Sequence, residues 1–154
     1  MPVLVMKFGG TSVASLDKIK SAAERVAFEV SAGHSVIVIV SAMAGKTNEL
    51  VELVNATSPL YDAREYDAVV SSGENETAGL MALTLQTMDI PARSWQGWQV
   101  PVKTSSAHSS ARIEEIPTEN IMTKFSEGMR VAVVAGFQGL SESGRVTTLG
   151  LSLI

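Results

Sequence analysis

The sequence predicts an α/β fold, a three-layer α/β/α sandwich built on a mostly parallel sheet. Short runs of apolar, largely β-branched residues at 3–8, 36–40 and 131–135 read as buried strands. The segments between them repeat their apolar residues at helical spacing. Strands alternating with helices call for parallel pairing, with helices on both faces of the sheet. The 154 residues make one domain's length, and at that size a compact fold buries roughly 70% of the unfolded surface, enough for a real core.

Residues 3–8 form a strand that ends at Gly9-Gly10, a tight turn. Leu16, Ile19, Ala23, Val26, Ala27 and Val30 then define a helix that Gly33 stops. Val36–Val40 is a strand buried on both faces, leading into the small-residue loop Ser41-Ala42-Met43-Ala44-Gly45. A helix follows from Asn48 to Ala56, Ser58-Pro59 breaks it, and Tyr61–Val70 forms another. After Ser71-Ser72-Gly73, the residues Ala78, Met81, Leu85 and Met88 define a helix capped by the serines, with Glu74 and Glu76 in its first turn. Ala92–Trp95 reads as a short strand and 99–112 as loop or irregular hairpin, since Ser, Thr and Ala alternate there without a period. A helix from about Pro117 to Glu127, stopped by Gly128, feeds the strand Val131–Ala135. Gly136, Gly139 and Gly144 then punctuate a loop returning towards Val146.

Composition narrows the function classes. With 45% hydrophobic residues, 18% charged residues and a formal charge of -4, this is an ordinary globular protein with too much apolar character for disorder. Lys and Arg are scattered singly, which argues against a nucleic acid or an anionic membrane as partner. The absence of cysteine excludes disulfides and thiolate metal sites and fits a reducing compartment. The longest wholly aliphatic run, Val36–Val40, is far short of the roughly 20 residues a membrane helix needs. Without a signal-peptide pattern at the amino terminus, a cytoplasmic location is expected.

Ligands of open parallel sheets bind in the crevice at the carboxyl ends of the strands, and three loops there are candidates. In Lys7-Phe8-Gly9-Gly10-Thr11-Ser12, glycines admit a phosphate close to the backbone, the next helix offers free N-H groups, and Lys7 adds charge. The alternative is a tight turn beside a solvated lysine. Ser41 to Asn48 follows a buried strand and opens a helix with hydroxyls at both ends, suiting an anion or amino acid; alternatively Thr47 or Asn48 only caps the helix. Gly45-Lys46-Thr47 is not a Walker end, because Val40 occupies the position of that motif's first glycine. In Ser71-Ser72-Gly73-Glu74-Asn75-Glu76, one carboxylate either holds a substrate ammonium group or serves the helix dipole. His34 and His108 lack metal-ligand spacing and read as turn and surface residues, and Trp95 and Trp98 as packing residues.

Taken together, Lys7–Ser12, Ser41–Asn48, Ser72–Glu76 and Gly136-Phe137-Gln138-Gly139 followed by Thr147-Thr148-Leu149-Gly150 resemble, in order and spacing, the aspartokinases of the amino acid kinase family. The resemblance covers residues 3–150. It implies an amino acid kinase (carbamate kinase-like) fold and ATP-dependent phosphorylation of the side-chain carboxylate of L-aspartate to 4-phospho-L-aspartate, which opens lysine, threonine and methionine biosynthesis. Residue by residue it implies that Lys7, Phe8, Gly9 and Gly10 meet ATP, with Lys7 catalytic in countering charge on the γ-phosphoryl group. Ser41, Thr47, Glu74 and Phe137 would line the aspartate site, Glu74 pairing with the α-ammonium. Magnesium would arrive with ATP, so no protein metal cluster is expected.

The match ends at Gly150. Where the family continues with Arg-Gly-Gly-Ser-Asp, this chain has Leu151-Ser152-Leu153-Ile154. Leu151 replaces an arginine that grips a substrate carboxylate, and Ile154 a substrate-contacting serine; neither apolar side chain replaces the polar contact. Residues 1–150 are thus read as the amino-terminal part of a kinase domain, with 151–154 a non-matching tail and the family's ACT regulatory domains absent. The expectation is a truncated product, inactive alone, that forms a homo-oligomer or pairs with a full-length subunit. The other readings are a kinase for glutamate, acetylglutamate or UMP, and a non-catalytic module that joins a complete subunit.

Overall fold

The computed structural model of the chain describes residues 2–150, so the expectations for Leu151 and Ile154 fall outside the described residues. The elements in order are strand β1 (Val3–Phe8), a 3-10 helix (Gly10–Val13), α1 (Leu16–Ser31), β2 (Ser35–Val40), α2 (Lys46–Thr57), α3 (Ala63–Val70) and α4 (Ser72–Thr87). They are followed by β3 (Ala92–Trp95), β4 (Lys103–Thr104), β5 (Ile113–Glu115), α5 (Glu119–Ser126), β6 (Val131–Ala135), β7 (Gln138–Leu140) and β8 (Val146–Thr148).

The main sheet has the order β1-β2-β6-β3 and every pair in it is parallel. Its two central strands are the β-branched runs: β6 is buried at every position, and in β2 Val36, Val38 and Val40 are sealed from solvent. Two helices cover one face. Ile19, Ala22, Ala23 and Val26 of α1 and Ala78, Met81, Ala82 and Leu85 of α4 pack with those valines into the larger core. On the other face a thinner layer, Ile121 and Phe125 of α5 with Val100 and Val102, covers Ala132 and Val134. The sandwich is therefore asymmetric, and Val3 and Val5 on the edge strand remain exposed.

Local chemistry accounts for the helix limits. Ser15 caps α1 by accepting a hydrogen bond from the Lys18 N-H at 3.2 Å, and Gly33, at φ 100°, ends it. Asp62 caps α3 by accepting from the Arg64 N-H at 2.8 Å. The serines expected to cap α4 do not: Ser71 is itself helical (φ -65°, ψ -19°), its side chain makes no cap bond, and α3 turns directly into α4. Nor does Thr47 or Asn48 cap α2, whose N-cap is Gly45 at φ 85°, a left-handed conformation that suits glycine.

A second sheet lies where loops were expected. It has the order β5-β4-β7-β8, with β4 parallel to β7 and the other pairs antiparallel. Its strands are two or three residues long, too short for an alternating pattern to register in the sequence. Gly139 is the tightest point. A Cβ there would meet the Thr104 methyl group and lie 2.6 Å from the Val102 carbonyl oxygen. Gly139→Ala is therefore expected to strain this sheet and cost about 1–3 kcal/mol of stability, read as a lowered thermal midpoint.

Candidate amino-acid site at the carboxyl edge of the sheet

The register of the main sheet aligns the loops of interest. Phe8 pairs with Val40 and Val40 with Ala135, so Gly9, Ser41 and Gly136 leave their strands at one level. The Ser41 N-H donates to the Phe8 carbonyl at 3.1 Å, and the Gly136 N-H to the Val40 carbonyl at 2.9 Å. Small residues let the loops touch. A Cβ on Gly10 would lie 3.1 Å from the Ala42 carbonyl oxygen, and one on Gly73 would lie 3.0 Å from the Ala42 Cβ. The first, second and third loops thus converge on Ala42.

Above them opens a cavity of about 620 Å³. Lys7, Gly10, Ser41, Thr47, Glu74 and Phe137 all line it, together with Gln138 and apolar groups that include Met43 and Ile39. Two of the expected site residues do not line it. The Phe8 ring is buried in the main core, with the Arg25 guanidinium 5.4 Å from its centroid, because the strand's inward face needs an apolar side chain there. Any contact Phe8 makes with a ligand is through its backbone. Gly9 is exposed beside the cavity and is not part of its wall.

Glu74 dominates the electrostatics. In the first turn of α4, it is 1% exposed, and its Oε2 has no hydrogen-bond partner. Burial pushes its carboxyl up to about 8, against the weaker opposing pull of its own backbone N-H. Lys7, exposed at the end of β1, is the cation of the cavity wall, while the neighbouring Lys46 lies 3.8 Å from Glu49 and 3.9 Å from Glu76. One wall therefore presents a buried carboxyl with an unpartnered oxygen, and another an exposed ammonium group. Phe137 sits on the rim with a left-handed backbone (φ 65°), strain of the kind that persists at sites its surroundings over-determine.

Two arrangements that bear on this site were not read from the sequence. Gln138 is 2% exposed and ties three segments together through its amide. Asp67 is fully buried and accepts hydrogen bonds from the Ser109 N-H (3.0 Å) and the Thr148 hydroxyl (2.6 Å), with His108 Nδ1 at 2.7 Å. His108 is thus largely buried, with 10% of its side chain exposed, and not the surface residue expected. This cluster fixes α3 to β8 and to the loop before β5. Its sequence signal was Asp67 lying one turn before Val70 on the buried face of a short helix. Trp95 packs in the second core as expected, and Trp98 lies half exposed, its indole N-H donating to Gln96 Oε1 at 2.9 Å. His34 sits at the turn after α1 against Glu29, as expected.

Among the described residues no helix is long and apolar enough to cross a membrane. Comparison with known proteins places these features in a family. The chain is 47% identical over 153 residues to the aspartokinase of Rickettsia felis, 46% identical over 154 residues to the aspartate kinase of Pseudomonas fluorescens, and 43% identical over 150 residues to aspartokinase 2 of Bacillus subtilis. Each match takes in 97% of this chain but only 36–38% of the relative, so the chain spans less than two fifths of the length of the curated relatives it matches. Among solved structures, the aspartate kinase of Synechocystis aligns with a TM-score of 0.77 at 38% identity, covering 96% of this chain and 24% of that one. Aspartokinase III of E. coli, solved with aspartate and ADP, shares the fold at a TM-score of 0.84 and 24% identity, covering 97% of this chain and 44% of that one. With the amino acid kinase family model matching residues 2–151, the parallel sheet, the converging glycine loops and the cavity at their tips are those of a member of that family, to which this chain belongs.

Proposed function

We propose that the cavity is the amino-acid end of an aspartokinase site, built by residues 1–150 as the amino-terminal part of a kinase domain. The observation that carries this is Glu74, a buried carboxyl with an unpartnered oxygen in a cavity that also presents Lys7. An amino acid's α-ammonium group satisfies that oxygen and stabilises the ionised form. Ser41, Thr47 and Phe137 line the space the rest of L-aspartate takes. The aspartate relatives named above support this substrate over other amino acids of the family.

The reaction is transfer of the γ-phosphoryl group of ATP to the side-chain carboxylate of L-aspartate. A carboxylate oxygen bonds to phosphorus as the bond to the β,γ-bridging oxygen breaks, giving 4-phospho-L-aspartate and ADP. Lys7, with the Gly9 and Gly10 backbone and the backbone of Phe8, meets the phosphates, and Lys7 offsets charge on the phosphoryl oxygens as it transfers. Such catalysis is positioning and electrostatics, with no covalent enzyme intermediate. Magnesium enters with ATP as part of the substrate complex. A cytoplasmic location and assembly with further subunits complete this proposal.

Calorimetric titration of L-aspartate tests it through protons. Glu74 is protonated below about pH 8 in the free protein and ionises when the ammonium docks. Binding at pH 7 is expected to release close to one proton, seen as a heat that changes with the ionisation enthalpy of the buffer. Affinity should rise with pH up to about 8 and level off above it. Buffer-independent heat, or no binding at millimolar L-aspartate, would remove this assignment.

A further inference from the structure

We infer that Gln138 is a positioning residue of this site: its amide locks the turn of α4 that carries Glu74 onto the Phe137 loop, and so sets the width of the cavity. The significance of that width rests on the amino-acid site proposed above. Four observations carry the inference.

First, the amide is used at both ends. Its Oε1 accepts from the Gly97 N-H at 2.9 Å, and its Nε2 donates to the Ser71 carbonyl at 2.8 Å and to Asn75 Oδ1 at 3.0 Å. Only a side chain with both an acceptor and two donors makes all of these at once. Second, the bonds to Ser71 and Asn75 bracket Glu74 in sequence. Third, the start of α4 has no side-chain cap, its local ties being bonds back to α3 (Ser71 N-H to the Asp67 carbonyl at 3.0 Å, Ser72 hydroxyl to the Val69 carbonyl at 2.7 Å), and the Gln138 amide adds the bonds that reach it from across the fold. Fourth, the backbone on the other side is committed. Phe137 holds a left-handed φ of 65°, its carbonyl accepts from the Leu149 N-H at 2.9 Å, and a Cβ at Gly97 would lie 2.7 Å from the Gln138 carbonyl oxygen. Gln138 is thus a buried link between the Phe137 loop and the first turn of α4.

The test follows the Glu74 carboxyl by carbon-13 NMR in the chain as it stands, together with L-aspartate affinity, for Gln138→Leu and Asn75→Ala. Gln138→Leu removes all of the bonds; Asn75→Ala removes one at a partly exposed position. Loosening the turn admits water to Glu74, so its titration midpoint is expected to fall by at least about one unit in Gln138→Leu, with L-aspartate affinity lowered tenfold or more. Asn75→Ala is expected to move both in the same direction by less. A residue that only stabilises the fold would lower the thermal midpoint and leave both readouts unchanged, and that result would overturn the inference. If Gln138→Leu does not fold, Asn75→Ala decides alone, an unshifted Glu74 being the contradicting outcome. If the unmodified chain does not bind L-aspartate, the proposed substrate fails, but the Glu74 titration still decides the role of Gln138.

Discussion

Glu74→Gln is expected to lower affinity for L-aspartate at pH 8.5 by about thirtyfold or more, because losing one partner of a buried charge pair costs roughly 2–5 kcal/mol. The same substitution is expected to stabilise the ligand-free protein at alkaline pH. Burial raises the folded-state value of Glu74 from an ordinary 4.5 to about 8, so the fold favours the protonated form. Its contribution is fully present below about pH 4.5, declines as pH rises through the interval, and is gone above about 8. At about 1.4 kcal/mol per unit, the loss across that interval is of order 3–5 kcal/mol. Glutamine cannot ionise, so chemical denaturation at a series of pH values should show this slope in the parent chain and not in the variant. Binding that weakens while alkaline stability improves would separate a ligand-holding acid from a structural one.

Asp67→Ala is expected to cost about 3–5 kcal/mol, since each buried polar group left without its partner costs about 1–3 kcal/mol. It strands the Thr148 hydroxyl, the Ser109 N-H and His108, all of which now end on one carboxylate. For a domain of this length that corresponds to a fall of roughly 10 °C in thermal midpoint. The damage should not stay local, because α3 leads directly into the turn that carries Glu74. Calorimetric or circular-dichroism melting checks the size of the effect.

The main sheet was legible because its strands announce themselves: β2 and β6 are nearly all β-branched or small and apolar, and such runs fit strands buried on both faces. The second sheet was not, since β4, β5, β7 and β8 are held by long-range pairing and glycine close contacts that leave no period in the sequence. The candidate site was legible in part for a related reason. Lys7, Ser41, Thr47, Glu74 and Phe137 sit in motifs next to strand or helix ends, where local composition betrays a crevice. Phe8 shares such a motif, yet strand alternation turns its ring into the core. The linking roles of Gln138, quoted above only as part of a motif, and of Asp67 were not legible because their partners lie 41 to 81 residues away, and a buried polar side chain looks like any other until those partners are known.

The most direct measurement is the carbon-13 titration of the Glu74 carboxyl with saturating L-aspartate and, separately, with succinate, which has the same two carboxylates and no amino group. L-Aspartate is expected to move the midpoint down from about 8 towards the ordinary carboxylate range, with succinate leaving it in place or raising it. A midpoint that L-aspartate does not move, or that both ligands lower alike, would mean that Glu74 is not the seat of a substrate ammonium group.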